Sequence, residues 1–261
     1  MELRGKRVLV TGASRGIGAA LARRFAVEGA QLALVARSAP ALEALADELG
    51  GDAYVADLAN AEERRSVWDR IITDGPVDVL VNNAAIDAPS PIVGSDGNTN
   101  DRILALNLNA PIDLCRLALP GMLASDGGHI VNMSSMASVA PMPGYSVYSA
   151  SKAGLSHFTA GLRSDLRGRP IDTTLVEVGP VSTSDMSDNM RGLPSSGRAL
   201  RRLEQLQLII DVDVPTVVDA TVEAVIRGRR HVRLPRRAAA FSTAVELPRR
   251  FVELALTGVR V

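Results

Sequence analysis

Tyr148 and Lys152, in the stretch Tyr-Ser-Ala-Ser-Lys, are two side chains that could transfer protons together. Residues four apart on a helix lie one turn from each other on the same face. A free phenol has a pKa of about 10, and a nearby ammonium favours its phenolate form. Lysine is rare here, because only Lys6 and Lys152 are found among 29 cationic side chains. We therefore predict that Tyr148 is a general acid or base whose pKa Lys152 lowers. For an isolated pair, the alternative is a surface helix in which the spacing has no function.

A glycine-rich turn near the start of the chain is typical of a nucleotide site. The β-branched run at residues 7–11 ends in Gly12-Ala-Ser-Arg-Gly-Ile-Gly18, and a helical pattern follows over residues 19–27. Strand, glycine turn and helix in this order bring the amides of a helix N-terminus to a pyrophosphate.

Strand and helix patterns alternate along the rest of the chain and must position these groups. We predict further strands over residues 31–36, 52–56, 77–81, 129–133, 173–177 and 231–234, and helices over 40–49, 61–73, 199–208 and 216–227. Such alternation predicts an α/β fold with a doubly wound parallel sheet between two helical layers. Its carboxyl edge, where ligands bind in such folds, would carry Ser134 and Ser135.

The end of the second strand bears on the choice of cofactor. An acidic residue there would hold the ribose 2′-hydroxyl of NAD, but the sequence reads Val-Ala36-Arg37-Ser38. Arg37, with Arg15 in the glycine turn, could instead bind a 2′-phosphate, which favours NADP over NAD. Two solvated surface arginines are the alternative. Asp57, after the third strand, could accept from the adenine amine or cap the next helix.

Taken together, these motifs resemble the short-chain dehydrogenase/reductase family, in its shorter branch of roughly 250 residues. The resemblance runs from residue 6 to about 183 and rests on these residues: Thr11-Gly-Ala-Ser-Arg-Gly-Ile-Gly18, Asp57-Leu58, Asn82-Asn83-Ala84-Ala85, Asn107, Ser135, Tyr148-x-x-x-Lys152 and Gly179-Pro180-Val181-x-Thr183. It implies a single Rossmann-fold domain that transfers a hydride between NADP(H) and a carbonyl or secondary alcohol. Ala85 and Val178 depart from the family pattern, which usually has Gly and often has Pro there, but neither change removes a reacting group.

The resemblance also implies a role for each catalytic residue. Tyr148 would donate a proton to the carbonyl oxygen, or take one from the alcohol, and Ser135 would polarise that carbonyl. Lys152 would lower the pKa of Tyr148 and bind the nicotinamide ribose. Asn107 would interrupt its helix and hold a water that reprotonates Lys152. Ser134 and Asn109 fit these roles less well.

A larger set of residues is expected to bind the cofactor. Within it, Asn83 would lie beside the adenosine ribose, and Thr183 would hold the pyrophosphate or the carboxamide. The motifs and the resemblance together assign Gly12, Ser14, Arg15, Gly16, Ile17, Gly18, Arg37, Ser38, Asp57, Leu58, Asn83, Ala84, Ala85, Tyr148, Lys152, Pro180, Val181 and Thr183 to the dinucleotide site.

The C-terminal third contains a predicted substrate lid and a basic extension. We place the domain over residues 1–235, with the lid at about 184–213, where a polar, glycine-punctuated stretch (Ser195-Ser-Gly197) precedes the predicted helix. Residues 236–261 would form an extension with two short helical segments. Residues 227–261 contain nine Arg and two Glu, so membrane contact through this extension is one interpretation. Packing on the protein's own or a neighbouring subunit's lid is favoured.

Composition limits the remaining classes of function. The formal net charge is zero and no aromatic residues are interleaved with the arginines, so we expect no nucleic-acid partner. His129, His157 and His231 lack ligand spacing, so no metal site is predicted. A single Cys115 and the absence of a leader or long apolar run predict a soluble, cytoplasmic protein. The resemblance suggests a homodimer or homotetramer.

The sequence therefore predicts an NADP-dependent oxidoreductase for a small to medium apolar carbonyl or alcohol. The alternatives are a nucleotide-binding regulatory or scaffold protein without turnover and a membrane-attached reductase of a lipid-like substrate.

Overall fold

A seven-stranded parallel sheet forms the centre of the part of the chain that the structure describes, in the order β3-β2-β1-β4-β5-β6-β7. The computed structural model describes residues 1–140, 142–182, 185–206 and 210–236. The strands are β1 (Arg7–Thr11), β2 (Gln31–Ala36), β3 (Asp52–Val55), β4 (Val79–Asn82), β5 (Gly128–Ser135), β6 (Ile171–Val178) and β7 (His231–Leu234).

The helices alternate with these strands. They are α1 (Gly16–Val27), α2 (Ala39–Leu49), α3 (Ala61–Asp74), α4 (Gly97–Leu104), α5 (Ala110–Ala124), α6 (Ser146–Asp165), α7 (Asp185–Gly192), α8 (Pro194–Gln205) and α9 (Val214–Ile226). A π-helical turn, Ala105–Asn109, joins α4 to α5, and a 3₁₀ turn, Met136–Ser138, follows β5.

Both faces of the sheet are covered because its strands are apolar on both sides. Val8 and Val10 pack in one core with α1, α2 and α9, whereas Leu9 packs in a second core with α3, α5 and α6. All five residues of β1 are buried, as expected for a central parallel strand. The predicted three-layer α/β architecture is confirmed.

The order of the strands in the sheet reverses at β1, since β2 and β3 lie on one side of it and β4 to β7 lie on the other. Val8 pairs with Leu32 of β2 on one side and with Val79 of β4 on the other. The carboxyl ends of β1 and β4 therefore border the crevice where ligands bind in Rossmann folds. This is where the glycine turn and the Asn82-Asn83 motif meet.

The predicted elements have the correct types, but no ranges were predicted for α4, α5 and α6, and several bounds differ. The first helix begins at Gly16 rather than residue 19, so the last glycines of the motif lie in its first turn. β4 begins at Val79 rather than residue 77, and the side chain of Asp78 accepts a hydrogen bond from the backbone N–H of Arg7. β5 and β6 extend one to two residues beyond both predicted ends.

The lid assignment stays a prediction, but the helices within it differ from those expected. The polar, glycine-punctuated stretch Ser195–Gly197 is part of α8, which begins at Pro194 rather than residue 199, and no helix was predicted over α7. Pro194 starts α8, which suits proline because the first helical N–H needs no partner. Gly197 packs closely on the end of α7, since a Cβ there would be 2.7 Å from the carbonyl oxygen of Arg191. This glycine therefore serves close packing and does not mark a break.

Some predictions fall outside the described residues. These are Thr183, the start of the lid at residue 184, residues 207–208 of the predicted helix, and the extension after Arg236.

Candidate active site

Tyr148 and Lys152 lie one turn apart on the same face of α6. The ammonium nitrogen of Lys152 is 5.8 Å from the centre of the Tyr148 ring. It donates a hydrogen bond of 2.8 Å to the carbonyl oxygen of Met133, near the end of β5. Both side chains are buried. The predicted pair therefore forms, at the carboxyl edge of the sheet.

Burial is the largest influence on the protonation of both groups. It raises the pKa of Tyr148 to about 12, although a hydrogen bond with Ser135 lowers it and the charge of Asp87 raises it. Burial lowers the pKa of Lys152 to about 8. The prediction that Lys152 brings the pKa of Tyr148 below its usual value was wrong for this structure. The reason is that the phenol is desolvated, while the ammonium bonds to a backbone carbonyl.

Ser135 ends β5 beside Tyr148. Its hydroxyl donates to the carbonyl oxygen of Val178 at 3.3 Å and accepts from the N–H of Ala137 at 3.1 Å. Ser134 points the other way, as alternate residues of a strand must. Its hydroxyl contacts that of Ser156 at 2.8 Å and donates to the carbonyl oxygen of Lys152 at 3.1 Å. Ser134 is thus hydrogen-bonded within the interior, and Ser135 is the serine near the Tyr148 phenol.

Asn107 lies in the π-helical turn between α4 and α5, where the sequence predicted an interruption of the helix. Its amide bonds both the N–H and the C=O of Ile86, at 2.9 and 2.8 Å, and donates to the hydroxyl of Ser151 at 3.3 Å. The side chain is fully buried. Asn107 therefore joins the loop after β4 to the helix that carries Tyr148.

The glycine turn forms a cradle in which the backbone approaches its neighbours closely. Gly12 has φ 67°, and a Cβ on Gly18 would lie 2.1 Å from the carbonyl oxygen of Gly12. The hydroxyl oxygen of Thr11 accepts from the backbone N–H groups of Asn83 and Ala84, both at 3.0 Å. A dinucleotide pyrophosphate suits such a cradle, because the N-terminus of α1 begins at Gly16 within it and offers backbone N–H groups.

Asn83 serves this cradle directly. Its amide nitrogen donates to the carbonyl oxygen of Thr11 at 2.9 Å. The side chain therefore holds the end of β1 to the loop after β4. Its contact with an adenosine ribose remains a prediction.

Asp57 is held by an arginine that the sequence analysis did not identify. Its carboxylate accepts from Arg102 of α4 at 2.5 Å and from the N–H of Ala59 at 3.1 Å. Burial raises the pKa of Asp57, but these hydrogen bonds and the charges of Arg102 and Arg37 bring it below its usual value. The capping alternative was wrong, because Asn60 caps α3. The adenine contact remains a prediction.

The other predicted cofactor residues line the same edge. Arg15 and Arg37 are exposed, as a solvent-facing phosphate would require. Ser38 precedes α2, Leu58 is buried after β3, and Val181 forms a bridge with Val212. Ser14, Gly16, Ile17, Ala84, Ala85 and Pro180 also lie in loops or first turns that follow β1, β4 and β6. Thr183 lies outside the described residues.

Four residues around Tyr148 had no predicted role in catalysis. Tyr148 donates toward the sulfur of Met186 at 3.9 Å, and its ring meets that of Tyr145 edge-on, with centroids 5.7 Å apart. Asp87 accepts from the hydroxyl of Tyr145 at 2.9 Å and from the amide of Asn189 at 3.0 Å. The sequence offered one sign of this cluster, which is the acidic residue Asp87 in an apolar stretch two positions after Ala85.

Other candidate groups contribute little to this site. Burial raises the pKa of the Cys115 thiol to about 12 and lowers that of His129 to about 4. The described residues include no group of three or more His, Cys, Asp or Glu placed to hold a metal ion. Within the same ranges, no helix has the length and hydropathy needed to cross a membrane.

Known proteins resemble this chain in sequence. A family model for short chain dehydrogenase matches residues 6–192. The NADP-dependent 3-hydroxy acid dehydrogenase YdfG of Shigella flexneri is 31% identical over 217 residues, which cover 81% of this chain and 86% of that protein. Its name and the model both indicate oxidoreductase chemistry.

Solved structures agree in fold and differ in cofactor. A short-chain dehydrogenase from Sphingobium yanoikuyae in complex with NADPH has a TM-score of 0.81 and 29% identity, covering 98% of this chain and 96% of that one. A short chain dehydrogenase/reductase from Burkholderia phymatum in complex with NAD has a TM-score of 0.78 and 25% identity, with the same coverage. These comparisons support a nicotinamide dinucleotide as cofactor.

Proposed function

The chain belongs to the short-chain dehydrogenase family, and from that premise we propose that it is an NADP-dependent oxidoreductase that interconverts a carbonyl compound and its secondary alcohol. The observation that carries the proposal is the convergence of Ser135, Tyr148 and Lys152 at the sheet edge that also bears the glycine cradle. Orientation of substrate and cofactor, together with a general acid, is what a protein contributes to such a reaction.

Tyr148 is the proton donor in the direction of reduction. With its pKa raised to about 12, the phenol keeps its proton at neutral pH and can give it to the carbonyl oxygen. Ser135 donates a second hydrogen bond to that oxygen and polarises the carbonyl. The Lys152 ammonium, 5.8 Å from the ring centre, stabilises the phenolate that remains after transfer.

The dinucleotide, when bound, supplies or accepts the hydride. Gly12 to Gly18 would hold its pyrophosphate, and Lys152 its nicotinamide ribose. Arg37 and Arg15 would bind the 2′-phosphate, because guanidinium groups pair with phosphate through two hydrogen bonds. Asp57, fixed by Arg102, would accept from the adenine amine.

The substrate is an apolar carbonyl compound of small to medium size. Met142, Met186 and Met190 belong to or pack against the apolar cluster that includes Tyr148. Methionine side chains are flexible and adapt to irregular apolar groups. A site lined by such side chains favours an unbranched or bulky hydrocarbon substituent over a charged one.

NADPH oxidation with a panel of ketones tests this proposal in wild-type, Tyr148→Phe and Tyr54→Phe proteins. Tyr148→Phe should lower kcat by at least about 10²-fold, because the general acid is lost, while NADPH still binds. Tyr54→Phe is the matched control, since its hydroxyl bonds Arg7 and Asp74 at the opposite edge of the sheet.

Two outcomes count against the proposal. Normal turnover by the Tyr148→Phe variant shows that Tyr148 is not the acid. NADPH binding by the wild type without turnover of any carbonyl or alcohol favours a regulatory or scaffold protein instead.

Assembly as a homodimer or homotetramer is part of the same proposal. Multi-angle light scattering of the purified protein measures the mass of the particle. A monomer at micromolar concentration contradicts this part.

A further inference from the structure

The carboxylate of Asp87 joins the start of α6 to α7, and side chains of both elements contact Tyr148. One oxygen accepts from the Tyr145 hydroxyl, just before α6, at 2.9 Å, and the other accepts from the Asn189 amide, on α7, at 3.0 Å. These partners are 58 and 102 residues away along the chain. Asp87 itself follows Ile86, whose backbone Asn107 holds on both sides.

Each partner of Asp87 also contacts the catalytic phenol directly or through its helix. The Tyr145 ring meets the Tyr148 ring edge-on, and Tyr145 is only 2% exposed. Asn189 shares α7 with Met186, whose sulfur lies 3.9 Å from the Tyr148 hydroxyl. The position of α7 therefore decides where the Met186 side chain lies relative to the Tyr148 hydroxyl.

A second hydrogen bond links the lid to the same region. The Ser196 hydroxyl on α8 donates to the carbonyl oxygen of Pro143 at 2.5 Å. Ser90, in the same loop after β4 as Asp87, donates its N–H to the carbonyl oxygen of Gly144 at 2.8 Å. The lid helices, the loop after β4 and the start of α6 thus form one connected rim, and the half-buried carboxylate of Asp87 is part of it.

We propose that Asp87 is a positioning residue that holds the lid helix α7 over the substrate site through its paired hydrogen bonds to Tyr145 and Asn189. The kinetic consequences rest on the proposed function, whereas the effect on α7 does not. Asp87 acts on catalysis through α7 and Tyr145. Its carboxylate carries no proton in the reaction.

The consequence for substrate is a change in apparent affinity. A lid that is closed only part of the time weakens substrate binding in proportion to the fraction of molecules in the closed state. Chemistry within the closed complex is unchanged. Loss of the Asp87 carboxylate should therefore raise KM and leave kcat nearly constant.

Hydrogen–deuterium exchange of the unliganded protein tests the contact without any assay of activity. Asp87→Ala and Asn189→Ala should each speed exchange of the α7 amides by about five- to tenfold, the effect of losing one hydrogen bond. The double variant should exchange no faster than either single variant, because both remove the same contact. The proposal is overturned if the rate increase in the double variant is the product of the increases in the two single variants.

Asp188→Asn is the matched control. It removes a carboxylate from the neighbouring position of α7, where the side chain is exposed and has no hydrogen-bond or ion-pair partner in the described part of the chain. Exchange of α7 should be unchanged in this variant. If Asp87→Ala also leaves α7 unchanged, Asp87 does not hold the lid.

Steady-state kinetics with NADPH and an accepted ketone then separates positioning from electrostatics. Asp87→Ala should raise KM by about five- to tenfold. Asp87→Asn should restore most of the wild-type KM, because an amide can accept from Tyr145 while Asn189 turns its oxygen toward the new N–H. Failure of this rescue, or a fall in kcat with KM unchanged, overturns the proposal. If the wild type reduces no carbonyl, the proposed function fails, and the exchange experiment still decides the role of Asp87.

Discussion

The Lys152 ammonium lies 5.8 Å from the centre of the Tyr148 ring and directs its hydrogen bond to the carbonyl oxygen of Met133. The lysine is thus anchored to the sheet, beside the phenol and not on its hydroxyl. Burial gives the two groups pKa values of about 12 and about 8, so both are protonated at neutral pH. This state suits a site that donates a proton to a carbonyl.

Lys152→Met should make the protein more stable at pH 7. Burial lowers the pKa of Lys152 from 10.5 to about 8. At pH 7 the lysine is charged in the folded protein, and burying that charge costs free energy of folding. The variant avoids this cost and should gain about 1–3 kcal/mol in free energy of unfolding, reduced by the lost hydrogen bond to Met133.

The gain should shrink as pH rises from 8 toward 10.5. In that window the unfolded chain binds the lysine proton and the folded protein does not, so the stability of the wild type increases with pH. Urea unfolding at pH 7 and pH 10 measures the difference. Lys6→Met is the control and should lose stability, because Lys6 donates to Asp78 and its pKa is raised. Equal stability changes for the two variants contradict the prediction.

Ser135→Ala and Ser134→Ala should have opposite effects. Ser135→Ala should lower kcat by about 10²-fold, because the serine polarises the carbonyl, and should cost less stability than Ser134→Ala, because its two hydrogen bonds are only part-buried. Ser134→Ala should preserve kcat but cost about 1–2 kcal/mol of stability, since it removes buried hydrogen bonds to Ser156 and the Lys152 carbonyl. Thermal unfolding and initial rates on both proteins provide the check, and the reverse pattern would reassign the catalytic serine.

Gly18→Ala should abolish dinucleotide binding. A Cβ at this position would lie 2.1 Å from the carbonyl oxygen of Gly12, so the cradle must distort. Gly161→Ala is the matched control, because this exposed glycine of α6 has no heavy atom within 4 Å of a new Cβ. That control should gain about 0.5–1 kcal/mol of stability, because alanine favours a helix. Fluorescence titration with NADPH measures binding, and normal affinity in Gly18→Ala contradicts the cradle assignment.

Arg37→Ala should weaken NADPH binding by about 10- to 100-fold, the value of a charge-assisted hydrogen bond to phosphate. NADH binding should not change, because NADH lacks the 2′-phosphate. Arg65→Ala, an exposed arginine of α3, removes the same charge from a site away from the glycine turn. Dissociation constants for both cofactors decide the matter. An unchanged ratio between them would remove the basis for NADP preference.

Sequence patterns gave reliable predictions for features that depend on residues close together in the chain. The alternation of strand and helix patterns predicted the parallel sheet, because apolar period and element length depend on neighbouring residues. The glycine turn and the spacing of Tyr148 and Lys152 predicted their shared edge, because both motifs have fixed geometry on a strand–turn–helix or a helix. Bounds of elements were less accurate, as at β4, where the Asp78 side chain bonds the backbone of Arg7.

The sequence by itself determined the fold class, the glycine cradle and the helical face that joins Tyr148 to Lys152, since each depends on residues close together in the chain. Only the tertiary structure decided which way the pKa of Tyr148 moves, because desolvation depends on everything packed around the phenol. It also decided the partners of Asp57 and Asp87. Arg102 is 45 residues from Asp57, and Asn189 is 102 residues from Asp87, so no local pattern relates them. Packing of distant elements brings these side chains together, and contacts of that kind set the electrostatics and the roof of the site.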